Sequence, residues 1–226
     1  MENLIDFLVS IKDGVLYYVP GVGRPDRVFE FLVGHLIITL VTIVLAILIS
    51  VPLGILITRV RVLYDPIIKF AGMLYTVPSL AMFGVLVPLV GIGFAPAIVA
   101  LTLYSLLAII RNTAVGIDGV DPAILEAARG MGMRKLAILL KVELPLALPV
   151  IFAGIRIATV STISLATLAS FFGSSSLGSL IFEGIAAGGT RNDKIVAGAL
   201  GAALLAIVFD QIISQIERVL PGSAAR

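Results

Sequence analysis

Two charged side chains stand inside otherwise apolar runs of this chain: Arg156, soon after Pro149, and Asp210, shortly before Ile216. Charge in hydrocarbon is costly, so such residues face a partner or water. Their similar depth leads us to expect that they approach each other or share a polar network near an inner gate. The alternative is that each snorkels separately to the interface. Pro78, with Ser79 beside it, lies in another apolar run, where a proline frees backbone carbonyls that line a cavity or simply kink the helix. These four residues are the pore or gate candidates. Other chemistry is poorly provided for. There is no cysteine, hence no thiolate chemistry and no disulfide framework. The single histidine, His35, is expected to be interfacial, because a metal site needs several ligands. It stands far from any nucleophile that it could serve as base, and Ser174, Ser175 and Ser176 read as part of a flexible turn. The run Gly130 to Leu136 lacks the spacing and the hydroxyl of a phosphate-binding loop. We therefore expect no enzyme and no cofactor in this chain. Energy for any work must come from a partner or an ion gradient.

The elements that carry these residues are membrane helices. Of 226 residues, 59% are hydrophobic and 13% charged, and mean hydropathy is +1.14, more apolar surface than a water-soluble domain of this size needs. Net charge of +2 is too small to argue for nucleic acid. The fold expected is all-α and polytopic, with five spans at about 31–57, 70–90, 94–110, 146–172 and 195–216. Residues 1–30 read as an N-terminal interfacial segment without the features of a cleaved signal peptide, and 221–226 as a tail. The fourth span is rich in small hydroxylated residues, among them Thr159, Ser161 and Thr162, which suit close packing or a watery face.

The longest polar interruption, 111–145, holds five of the sixteen basic residues: Arg111, Arg129, Arg134, Lys135 and Lys141. It reads as two short helices. Asp121 is a good N-cap and Pro122 a good first residue. Ile124, Leu125, Ala128 and Met131 recur at helical spacing, and Gly130 and Gly132 suit the helix end. The second segment, Met133 to Lys141, is expected to stop before Pro145. A small apolar helix flanked by charge suits a groove in another protein, although packing on its own bundle is an equal alternative.

Counting basic residues on the two sides of five spans gives ten against five, with Arg156 inside the fourth. The ten-charge side includes 111–145 and the C-terminus. By the positive-inside rule that side is cytoplasmic and the N-terminus lies outside.

Glu126, Ala127 and Ala128, then Gly132, then Val142, Glu143, Leu144 and Pro145 stand at the spacing of the EAA loop of ABC-transporter permeases, with Val142 where that pattern has Ile. The chain resembles that family. Thr76 to Ala81, Arg111-Asn112-Thr113, Gly119 to Pro122 and Ala153 to Arg156 are similar to its osmoprotectant branch, and the likeness covers roughly 31–220. The resemblance implies a type I importer permease for glycine betaine, choline, carnitine or related quaternary ammonium compounds, in the bacterial inner membrane. It implies a second permease chain, identical or paralogous, two cytoplasmic ATPase chains that bind ATP and Mg, and an extracytoplasmic substrate-binding protein. It assigns ATPase coupling to Glu126, Ala127, Ala128, Gly132, Leu144 and Pro145. The competing class is a stand-alone ion-coupled transporter or channel using Asp210, which explains the spans and leaves the loop unexplained.

Overall fold

The structure is a computed structural model describing residues 25–188 and 192–220. The expected segment before residue 25 and the tail 221–226 lie outside the described residues. All regular structure described is helical: α1 (Pro25–Arg59), α2 (Tyr64–Thr76), α3 (Ser79–Val90), α4 (Phe94–Asp118), α5 (Pro122–Gly130), α6 (Lys135–Ile138), α7 (Leu144–Ala169), α8 (Gly178–Ala186) and α9 (Asn192–Val219). Short 3-10 turns at Arg61–Leu63 and Ser170–Phe172 join some of these, and a π turn at Leu139–Glu143 links α6 to α7.

The helix of the first span begins at Pro25, ahead of residue 31, so His35 lies inside the helix. His35 does not lie on the protein surface. It is fully buried, and its Nε2 lies 3.0 Å from the Ile163 carbonyl oxygen of α7. The second span is not one helix. Arg61–Thr76 and Ser79–Val90 meet at a 97° bend. Pro78 has no N–H and disfavours a helical residue before it, and Val77 is extended at φ −64°, ψ 131°. Among the described residues four helices are long and apolar enough to cross a membrane, or five if the bent pair counts as one span. The third span runs on to Asp118 rather than stopping near 110. Arg111 does not end it, because a long cationic side chain extends from a helix flank without breaking the backbone ladder.

The second half of the central loop departs furthest from expectation. No stop precedes Pro145: helix continues from Lys135 to Phe172. Pro145 cannot donate to the carbonyl four residues back, and the backbone widens just before it, where the Leu144 N–H donates to the Leu139 carbonyl. The fifth span is Asn192–Val219, and the apolar piece after the serines forms α8.

The core is built where α1, α4 and α7 pack together. Ile38, Phe83, Leu101 and Ala166 fill one end, joined by α3, and Ile43, Ile109, Ile151 and Ile155 the other. Gly154 permits this closeness, since a Cβ there would sit 2.5 Å from the Asn112 Cβ. The serine turn is part of this packing rather than flexible: Ser174 Oγ donates to the Gly93 carbonyl at 2.7 Å, and Ser176 Oγ to the Ala166 carbonyl at 2.9 Å. Helix α9 packs on α7 and α8 and leaves Val196, Leu200, Leu204 and Ile207 exposed, as suits lipid or another membrane helix.

Candidate functional site

Helix α5 forms as its residues dictate. Asp121 Oδ1 accepts from the Ala123 N–H at 2.8 Å, and Pro122 occupies the first turn, where its missing donor costs nothing. Gly132 takes φ +79°, the left-handed conformation that lets the chain reverse toward α6. Of the nine residues of α5 only Ala128 is buried. The expected single stripe is thus divided: Ala128 is buried, on a helix that packs on α6 and the π turn, and Leu125 is half-buried, while Ile124 and Met131 are exposed. Glu126, Ala127 and Gly132 are exposed too, and Leu144 and Pro145 are half-buried at the head of α7. Of the six loop residues, Glu126, Ala127 and Gly132 are exposed on or just beyond α5, Ala128 is buried beneath it, and Leu144 and Pro145 form a support at the head of α7.

That support is tied down by ion pairs the sequence did not reveal. Glu143 is buried in the π turn, and its carboxylate accepts from both terminal nitrogens of Arg59 at the end of α1. Arg61 donates through two nitrogens to Asp118 at the end of α4, each at 2.8 Å. The spacing between Arg59 and Glu143 offers no local cue, because tertiary packing alone brings them together.

The expected approach of Arg156 and Asp210 is present. Arg156 Nε donates to one carboxylate oxygen at 2.5 Å and a terminal nitrogen to the other at 2.7 Å, the planar fork that guanidinium and carboxylate favour. Glu217 stands 4.0 Å from the same guanidinium. The cluster joins α7 to α9. Asp210 is thus engaged by a cation, and a stand-alone ion-coupled transporter finds no support in it.

The other two gate candidates do not join this cluster. Pro78 and Ser79 sit at the break between α2 and α3, where Tyr104 Oη donates to the Val77 carbonyl at 2.5 Å. A cavity of about 280 Å³ lies between α2, α4 and α7, lined by Tyr75, Tyr104, Arg111, Asn112, Ser161 and Thr162 among others. None of the four gate candidates lines it. Sequence reasoning missed Tyr75 and Tyr104. The hydroxyl-rich stretch of the fourth span was the one available sign.

The sequence pattern described as "Binding-protein-dependent transport system inner membrane component" matches residues 50–220. The chain belongs to this family. The permease is 44% identical to the choline transport system permease protein OpuBB of Bacillus subtilis, over 97% of this chain and 94% of the relative. It is 43% identical to the osmoprotectant import permease protein OsmW of Salmonella typhimurium, over 85% and 91%. In fold it is similar to a chain of the MetNI methionine ABC transporter in an inward-facing conformation, with TM-score 0.78 and 20% identity over 87% of this chain and 98% of that one. The permease is a membrane-spanning subunit of an ABC importer.

Proposed function

We propose that this permease imports quaternary ammonium osmoprotectants of the glycine betaine, choline and carnitine class. The named relatives support that class, including one named for glycine betaine, carnitine and choline together, 44% identical over 81% of this chain. It works with a second permease chain, two ATPase chains that bind ATP and Mg, and an extracytoplasmic substrate-binding protein. It lies in the inner membrane with the N-terminus outside and the α5 end in the cytoplasm, consistent with the charge asymmetry.

The observation that carries the reading is the exposure of α5 on a braced support. A nine-residue helix with Glu126, Ala127, Ile124 and Met131 outward offers a small-residue surface to a groove and one carboxylate to a cation of the ATPase. Gly132 leaves the helix end uncovered. The pairs of Arg59 with Glu143 and Arg61 with Asp118 join this region to α1, α4 and α7, so movement of α5 is passed to the spans. The pair of Arg156 and Asp210, and the break at Pro78, are the places where helices change their relative packing as the path alternates.

The test is uptake into proteoliposomes containing the assembled importer. Choline or glycine betaine accumulation should require ATP and survive collapse of the proton gradient. Accumulation driven by an ion gradient without any ATPase would overturn the reading.

A further inference from the structure

The cavity between α2, α4 and α7 has two chemically different ends. At one, Tyr75 and Tyr104 meet edge to face with centroids 6.2 Å apart, and Tyr75 is half exposed. Ring faces attract cations, and a quaternary ammonium, which cannot donate a hydrogen bond, is recognised this way. At the other end Arg111 is exposed and forms no ion pair among the described residues, although Arg59, Arg61 and Arg156 each hold a carboxylate. Asn112 stands beside it, and Ser161 lines the wall with a hydroxyl that has no partner among the described residues. A guanidinium does not rest in hydrocarbon, so the Arg111 end of the cavity is its wet end, reached from water, headgroups or protein. Tyr104 and Arg111 are two helical turns apart on α4, about 10 Å of rise, part of which the long arginine side chain spans.

We propose that this cavity is a transit subsite for a zwitterion, with the trimethylammonium end against the rings of Tyr75 and Tyr104 and the carboxylate end toward Arg111. The inference rests on the proposed substrate class and adds to it a preference within that class. Glycine betaine and carnitine-like solutes satisfy both ends. Choline satisfies the rings but brings no anion to Arg111, which then acts on it as a like charge. A volume of about 280 Å³ suits a solute of few heavy atoms.

The chain contains no cysteine, so Ser161→Cys gives a single thiol in the cavity wall. In the complete importer, labelling of that thiol by a water-soluble reagent is measured with saturating glycine betaine or choline. Glycine betaine should slow labelling about fivefold and choline less than about twofold, since only the former completes a guanidinium–carboxylate pair. Adding Arg111→Gln should remove the protection, and Arg111→Lys should keep part of it. Equal protection by both solutes, protection by neither, or protection unaffected by Arg111→Gln would overturn the subsite. Should Arg111→Gln fail to assemble, the comparison of the two solutes with Arg111 intact decides alone. An unsubstituted importer that accumulates none of glycine betaine, choline and carnitine would overturn the substrate class and this subsite with it, whereas accumulation of glycine betaine without protection would overturn the subsite only.

Discussion

Arg156 and Asp210 combine opposite charge with a planar two-bond geometry, and the pair links helices that are far apart in sequence. Reversing one partner sets like charges against each other, whereas exchanging the two keeps the attraction between them. Arg156→Asp and Asp210→Arg should each lower uptake roughly tenfold, and the double exchange should recover a good part of it, a coupling read by a double-mutant cycle. Independent, additive losses would show that the pair does not act as a unit. Gly132 makes a different case. A Cβ there would meet nothing within 4 Å, so space is not the obstacle, but φ +79° is strained for any other residue. Gly132→Asp should cost about 1–2 kcal/mol locally and place a charge on the docking side, so uptake should fall while membrane abundance stays normal. Ser176 is fully buried and holds the Ala166 carbonyl and the Gly178 N–H. Ser176→Ala should destabilise the protein by about 1–2 kcal/mol, seen as a lower Tm in detergent.

Among elements, the bent pair α2 and α3 and the exposed α5 matter most. The bend follows from one residue, because Pro78 both removes a donor and constrains Val77. The carbonyl of Val77 then finds Tyr104, so the break is held from the neighbouring helix rather than left open. Pro78→Ala restores the donor and relaxes Val77. It should shift the pair toward a straighter helix and reduce transport, with spin-label distances across the break lengthening in step. Unchanged distances would assign the bend to packing instead. Helix α5 shows the opposite balance. Its start is set locally by Asp121 and Pro122, while what it leaves exposed is set by how α6, the π turn and α7 carry it.

For the whole molecule, the exposed apolar surface of α9 and the cavity beside Arg111 lie on a chain built to work in an assembly. The proposed orientation is open to direct measurement. Ile92, in the turn between α3 and α4, and Met131, at the end of α5, are both largely exposed, and there is no native thiol. With Ile92→Cys, an impermeant thiol reagent should label intact cells from outside. With Met131→Cys it should label only inverted vesicles. The reverse pattern would place α5 outside the cell and end the importer reading.

The sequence by itself determined that this is an all-helical membrane protein, where its apolar segments lie, and that 111–145 carries a capped helix at the spacing of a known coupling loop. Hydropathy, capping and proline chemistry act over a few residues, so they are readable without a fold. The ends of the elements were less legible. An arginine can extend from a continuing helix, as Arg111 does, and a proline can be absorbed by a π turn, as Pro145 is. Only the tertiary structure decided that His35 is buried, that Glu143 pairs with Arg59, and that Tyr75, Tyr104, Arg111 and Ser161 share one cavity. Those are meetings between distant positions, and they exist only because α1, α2, α4 and α7 pack closely enough for their side chains to reach one another.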